Sequence, residues 1–142
     1  MINNYEEFKK YVFDLTSIDL NAYKEKQMKR RIDSLIERNM GDAEFKLDTY
    51  APALGLGRTT FYSKLKSIVG CSPNEYVRLL RMKRAAELLI TSDINISEAG
   101  YQVGINDPFY FSKCFRNTFG KSPSQYRKSA GKSDTKESAG EE

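Results

Sequence analysis

One segment of this chain occurs twice, and that duplication restricts the fold more than any other feature. Gly55-Leu56-Gly57 leads into Arg58-Thr59-Thr60-Phe61-Tyr62-Ser63-Lys64-Leu65-Lys66 and on to Gly70-Cys71-Ser72-Pro73. Gly104-Ile105-Asn106-Asp107-Pro108 leads in turn into Phe109-Tyr110-Phe111-Ser112-Lys113-Cys114-Phe115-Arg116 and on to Gly120-Lys121-Ser122-Pro123. Phe61 matches Phe111, Leu65 matches Phe115, Gly70 matches Gly120 and Pro73 matches Pro123 at an offset of 50 residues; Gly55 and Gly104 stand 49 apart. Two copies are too few for a solenoid, which stacks three or more repeats. A glycine turn followed by a basic helix, occurring twice, predicts two helix-turn-helix units, each able to place one helix in a DNA groove.

The caps around the repeat set the predicted element borders. Ser72-Pro73-Asn74-Glu75 combines a serine N-cap, proline at the first helical position and glutamate at the third. It opens a long helix to about Thr91, with Tyr76, Leu79, Leu80, Ala86 and Leu89 available for the core. Asn95-Ile96-Ser97-Glu98 starts a helix to about Val103, Asp107–Phe119 reads as the second basic helix, and Ser122-Pro123-Ser124-Gln125 opens a last short one. Upstream, Arg58–Ile68 reads as the first basic helix and Asp48–Leu54 as its support, with Pro52 tolerable only in a first turn. Near the start, Tyr5, Phe8, Val12 and Leu15 predict an amphipathic helix from about Asn4. Thr16–Asn21 is expected to break it, with Asn21 capping a second helix whose stripe is Met28, Ile32, Leu35 and Ile36. Gly41-Asp42 should end that second helix. No strand candidate competes, and the polar run from Ser129 is expected to be disordered.

Charge and composition narrow the function classes. Residues 1–40 carry eight basic and seven acidic side chains, residues 41–131 thirteen and eight, and residues 132–142 two and four. The excess of +5 thus sits on the repeat-bearing segment, as a phosphate-binding surface requires. The chain has no histidine and two isolated cysteines, Cys71 and Cys114, which argues against zinc sites and histidine-based nucleophile pairs. Both cysteines are expected as thiols of a reducing compartment. No apolar run approaches the ~20 residues that span a bilayer, and no leader precedes the first helix, so a cytoplasmic location is expected.

A groove-reading helix needs one face to anchor it and another to carry donors, small residues and cations. Phe61, Leu65 and Ile68 supply the anchor in the first unit, leaving Arg58, Thr59, Tyr62, Ser63 and Lys66 outward. Phe111, Phe115 and Thr118 repeat that spacing in the second, leaving Asp107, Pro108, Phe109, Ser112, Lys113 and Arg116 outward. Candidate base contacts are therefore Arg58, Thr59, Tyr62, Ser63, Asp107, Pro108, Phe109, Ser112 and Lys113. Candidate phosphate contacts are Lys64, Lys66, Arg81, Arg84, Arg116, Lys121 and Ser122, the last through the helix N-terminus it caps. The plainer alternative makes each of these an ordinary solvated face. Nineteen residues of linker helix span ~28 Å at ~1.5 Å per residue. A reading unit at each end would then reach major-groove segments ~34 Å apart.

Several of these residues form a recognisable pattern. It includes Leu54-Gly55, Arg58–Lys66, Gly70-Cys71-Ser72-Pro73-Asn74-Glu75-Tyr76, Ala85-Ala86-Glu87-Leu88-Leu89 and Ile96-Ser97-Glu98-Ala99-Gly100. Asn106-Asp107-Pro108, Tyr110–Arg116 and Gly120–Arg127 complete it. With them, residues 41–128 resemble the DNA-binding domain of AraC/XylS-type transcription regulators, and the Asn106-Asp107-Pro108 turn is similar to members that end hybrid two-component regulators. The resemblance implies two helix-turn-helix units on a linker helix and base-facing positions at Thr59, Tyr62, Ser63, Pro108, Phe109, Ser112 and Lys113. Pro52 and Tyr50 depart from the pattern, and Ser63 is short where many relatives carry a long side chain. Residues from Tyr5 to Ile32 resemble instead the N-terminal helical domain of CheR-type chemotaxis methyltransferases, without that family's cofactor-binding domain. Either a fusion joined near Met40 or a divergent native helix accounts for them.

The expected molecule is all-α: an N-terminal helical pair (1–40), a double helix-turn-helix domain (41–128) and a tail (129–142). Its expected function is sequence-specific binding of double-stranded DNA in bacterial transcription regulation, with no enzymatic activity and no cofactor or metal. Partners would be DNA and the transcription machinery, with no membrane; oligomeric state stays open. The alternative is a protein-interaction module that docks on a receptor through the basic Lys24–Arg31 stretch.

Overall fold

Serine and proline set half of the helix starts in the computed structural model, which describes residues 5–131. Helix α1 spans Tyr5–Arg38, and two short 3-10 helices follow at Leu47–Tyr50 and Pro52–Leu54. Then come α2 (Arg58–Val69), α3 (Pro73–Thr91), α4 (Ile96–Gln102), α5 (Pro108–Phe119) and α6 (Pro123–Ser129). No strand occurs among the described residues, in keeping with the all-α expectation.

Both predicted capping boxes form. The Ser72 hydroxyl accepts from the Glu75 N–H at 3.2 Å while Glu75 accepts from the Ser72 N–H at 3.3 Å. Ser122 and Gln125 do the same at 3.2 and 3.0 Å. At the other ends of the basic helices, Gly70 (φ 86°) and Gly120 (φ 76°) adopt the left-handed conformation that side-chain-bearing residues resist. There each donates its N–H to a carbonyl of the last turn, Lys66 and Arg116 respectively, at 2.8 Å. The repeat in sequence is thus a repeat in backbone: glycine turn, basic helix, glycine stop, serine cap.

Three expectations need correction. Thr16–Asn21 does not break the first helix, which runs through it without interruption. Threonine, serine, aspartate and asparagine each cost only a few tenths of a kcal/mol in a helix interior, and the stretch holds neither glycine nor proline. The supporting helix before α2 is not α-helical but two 3-10 pieces, because Pro52 starts a new turn at its own N1 position instead of continuing the old one. Ser129 is still helical, at the end of α6, and the rest of the expected tail lies largely outside the described residues.

The chain divides into two compact units, Met1–Ser34 and Leu35–Glu142. In the first unit Tyr5, Phe8 and Val12 are exposed, not core, at 69%, 60% and 43%. In the second, α3 is the hub and packs against α2, α4, α5 and α6. Its buried residues are Pro73, Tyr76, Val77, Arg81, Met82, Ala85, Ala86 and Leu89, whereas Leu79, expected in the core, is exposed. Phe111, Phe115, Phe119 and Tyr126 form an aromatic chain with ring centroids 4.6–5.9 Å apart, which joins α5 to α6.

Candidate nucleic-acid interface

Neither α2 nor α5 contains an acidic residue, so no carboxylate within either helix opposes its exposed cations. Phe61 and Leu65 on α2, and Phe111 and Phe115 on α5, are fully buried and fix each helix to the core. Around them, Arg58, Thr59, Tyr62, Ser63, Lys64 and Lys66 are exposed on α2, and Pro108, Phe109, Lys113 and Arg116 on α5. Phe109 is 80% exposed at the start of α5, free of any core role.

Two concavities border the first half of α3. Arg58, Thr59, Tyr62 and Ser63 line one of about 530 Å³ together with Asp48, Ser72, Pro73 and Asn74. Lys113 lines the other, of about 470 Å³, with Arg78, Leu79, Tyr110 and Asn117 among its neighbours. Residues of both basic helices therefore lie beside the N-terminal half of α3, the helix that links the two helix-turn-helix units. The second half of α3 serves as an anchor: Arg127 of α6 donates from Nε to the Leu89 carbonyl (2.9 Å) and from Nη2 to those of Ile94 (2.7 Å) and Ser92 (3.4 Å).

Several predicted site residues are held elsewhere. Arg81 is buried and donates to the carbonyls of Gly104 (3.5 Å) and Asp42 (2.8 Å), so it is no phosphate contact. Burial lowers its pKa, and the nearby Asp42 charge partly opposes that shift. Ser112 is buried. Its repeat partner Tyr62 is exposed because α2 packs on fewer elements, whereas α5 is enclosed by α3, α4 and α6. The anchor's third position is not Thr118, which is exposed; Phe119 fills that role through its rings' contacts. Ser122, 2% exposed, spends its hydroxyl on the α6 cap. Asp107 is likewise a cap: one carboxylate oxygen accepts from the N–H groups of Phe109 (3.0 Å) and Tyr110 (3.4 Å).

Other predicted contacts, exposed or, for Arg84, half-buried, are engaged. Arg58 pairs with Asp48 at 3.6 Å, Arg84 pairs with Glu37 and Glu87, and Lys121 donates to Ser129 Oγ at 2.7 Å. Tyr110 was missed by sequence reasoning. It is 47% exposed, and its pKa is raised chiefly by a hydrogen bond with Cys114, against a lowering influence from Arg78. Burial and Glu75 raise the Cys71 thiol, so it stays protonated and is no activated nucleophile. Among the described residues no three His, Cys, Asp or Glu side chains group as metal ligands would, and no helix is long and apolar enough to cross a membrane.

Comparison with known proteins fits this geometry. Residues 50–129 match the model of a helix-turn-helix domain, and residues 3–41 that of the all-alpha domain of CheR methyltransferases. Histidine kinase P4 of Formosa agariphila is 42% identical over 103 residues, a match covering 72% of this chain and 8% of the kinase. The chain thus spans a small part of that relative. The C-terminal domain of AraT, a response regulator from Geobacillus stearothermophilus, superposes with a TM-score of 0.65 at 27% identity, over 78% of this chain and 90% of that domain. The DNA-binding domain of the global transcriptional factor AdpA, solved in complex with a target DNA, gives 0.64 at 26% identity, over 70% of this chain and 89% of its own.

Proposed function

The chain belongs to the AraC-type family of helix-turn-helix domains, and from that membership we propose that it regulates transcription by binding double-stranded DNA through α2 and α5. The observation that carries this reading is the matched pair of acid-free helices, each with its apolar side buried and its cationic side exposed behind the same turn. Thr59, Tyr62 and Ser63, and Pro108, Phe109 and Lys113, are the base-reading candidates that remain exposed, and Arg58 lies beside them. Lys64, Lys66 and Arg116 serve the phosphates, with Lys121 at the α6 start. The action is binding, not catalysis, in the cytoplasm, with the transcription machinery as the downstream partner. The histidine kinase and response-regulator relatives support a place in a two-component system.

Phosphate neutralisation by these four cations would lower log K with log salt at a slope of roughly −3 to −4. Fluorescence anisotropy against duplex DNA at several salt concentrations measures this directly. A slope near zero, or no binding at low salt, would overturn the proposal.

A second reading concerns residues 1–40. Their match to the CheR all-alpha domain, and the separate compactness of Met1–Ser34, support a segment joined to the regulator domain that docks on a receptor through the basic Lys24–Arg31 stretch. Arg30→Glu should then abolish receptor-peptide binding and leave the DNA dissociation constant within about twofold, since that charge lies outside the DNA-reading unit. Unchanged peptide binding would dismiss it.

A further inference from the structure

An acid stands at the entrance of the first reading helix, on a surface otherwise suited to phosphates. Asp48 borders the same concavity as Arg58, Thr59, Tyr62 and Ser63, and it is the one acid among the described residues that line it. A carboxylate there repels a DNA backbone, so its place calls for a compensating partner. That partner is Arg58, whose Nη2 lies 3.6 Å from Asp48 Oδ2, with side chains 72% and 41% exposed respectively. Exposed ion pairs contribute almost nothing to stability, so folding does not account for this one.

The backbone that carries Asp48 is stiff. Leu47 before it and Ala51 after it are fully buried, and its carbonyl accepts from the Ala51 N–H at 3.2 Å. The carboxylate is therefore offered from a fixed base, whereas Arg58 projects from the first residue of α2 on a long stem. The second unit uses its entrance acid differently. There the Asp107 carboxylate caps the backbone of α5, and Pro108 stands where α2 has Arg58. At α2 the cap residue is Gly57, which makes no side-chain cap, and the nearby carboxylate engages a guanidinium instead. One entrance acid holds a backbone; the other holds a reading side chain.

We propose that Asp48 is a positioning residue, which holds the Arg58 guanidinium so that its remaining donors read a guanine in the half-site of α2. Arginine presents five N–H donors in a planar fork, and one given to Asp48 leaves four. Guanine takes two of them, at O6 and N7 in the major groove. Fixing the fork beforehand removes part of the ordering cost that a free side chain meets on binding. This role rests on α2 being a DNA-reading helix.

Selection of bound sequences from a random duplex library, with the parent chain and with Arg58→Ala, identifies the base pair whose preference depends on Arg58. Fluorescence anisotropy on duplexes changed at that one pair then measures the discrimination. The parent should prefer guanine there by at least ~5-fold, the lower end for a bidentate contact. Asp48→Asn should cut that preference at least ~3-fold and leave preferences in the other half-site intact. Its affinity for random duplex should hold or rise, since a negative charge has gone. Asp48→Glu, which keeps the carboxylate, should retain most of the preference. The thermal midpoint of Asp48→Asn should stay within about 3 °C of the parent. The positioning role would be overturned by unchanged discrimination in Asp48→Asn, by equal losses on selected and random duplex, or by Asp48→Glu behaving as Asp48→Asn does. A parent with no Arg58-dependent guanine, or a midpoint lowered beyond that range, would overturn it as well. A parent that binds no duplex at all would instead overturn the DNA-reading function on which the role stands.

Discussion

Replacing Arg127 with methionine should destabilise the second unit by about 2–4 kcal/mol, a magnitude set by opposing contributions at one site. The guanidinium is fully buried and ties α6 to the end of α3 through the carbonyls of Leu89, Ile94 and Ser92 at 2.9, 2.7 and 3.4 Å. Hydrogen bonds to a charged donor contribute roughly 1.5–3 kcal/mol each, and two of the three have good geometry. Against them stands Nη1, buried without a partner, whose desolvation costs about 1–3 kcal/mol. Methionine keeps much of the side-chain volume, so the cavity contribution is small. Each kcal/mol shifts the midpoint of a domain this size by roughly 4–8 °C, so a fall of about 8–30 °C is expected in thermal denaturation followed by circular dichroism. Arg127→Lys should recover less than half of the loss, because one ammonium cannot serve three carbonyls set for a planar fork. A methionine variant within about 3 °C of the parent would show that the desolvation of Arg127 cancels its hydrogen bonds, and the reasoning would be refuted.

Three further outcomes are expected. Gly104→Ala should cost about 2–4 kcal/mol and Gly120→Ala about 1 kcal/mol in urea titrations: both have positive φ, but a Cβ at Gly104 would lie 2.8 Å from the Met40 carbonyl oxygen whereas at Gly120 it meets nothing within 4 Å. Equal losses would refute the steric argument. Lys113→Ala should weaken binding to a selected site more than to random duplex; equal losses would make Lys113 a phosphate contact only. Arg81→Met should lower stability while leaving the salt slope of DNA binding unchanged, and a slope reduced by about one would return Arg81 to the phosphate contacts.

What the sequence made legible was what is written in local chemistry. Ser72-Pro73 and Ser122-Pro123 mark helix starts because cap, proline and box partner lie within four residues of one another, and Gly70 and Gly120 mark stops for a similarly local reason. Local chemistry failed at Thr16–Asn21, where weak helix formers without glycine or proline add too little cost to interrupt α1. The site was legible by half. Arg81 reads like Lys83 or Arg84 in sequence, and only its acceptors, the carbonyls of Gly104 and Asp42, 23 and 39 positions away, give it a buried role. Arg127 was hidden in the same way. Tyr62 and Ser112 occupy matching positions of the repeat, yet one is exposed and the other buried, because α5 has three helices around it. A repeat copies turns and caps faithfully; it does not copy the neighbours that decide which polar residue is left facing out.

The central claim, two reading helices acting on one duplex, is tested most directly by selection of bound sequences from a random duplex library, followed by sequencing. The account predicts enrichment of a bipartite site whose two half-sites are about one helical turn, ~10 bp, apart, with one half-site lost in a Phe109→Ala, Lys113→Ala variant and the other retained. Enrichment of one short site, or salt-sensitive binding with no enrichment at all, would contradict it.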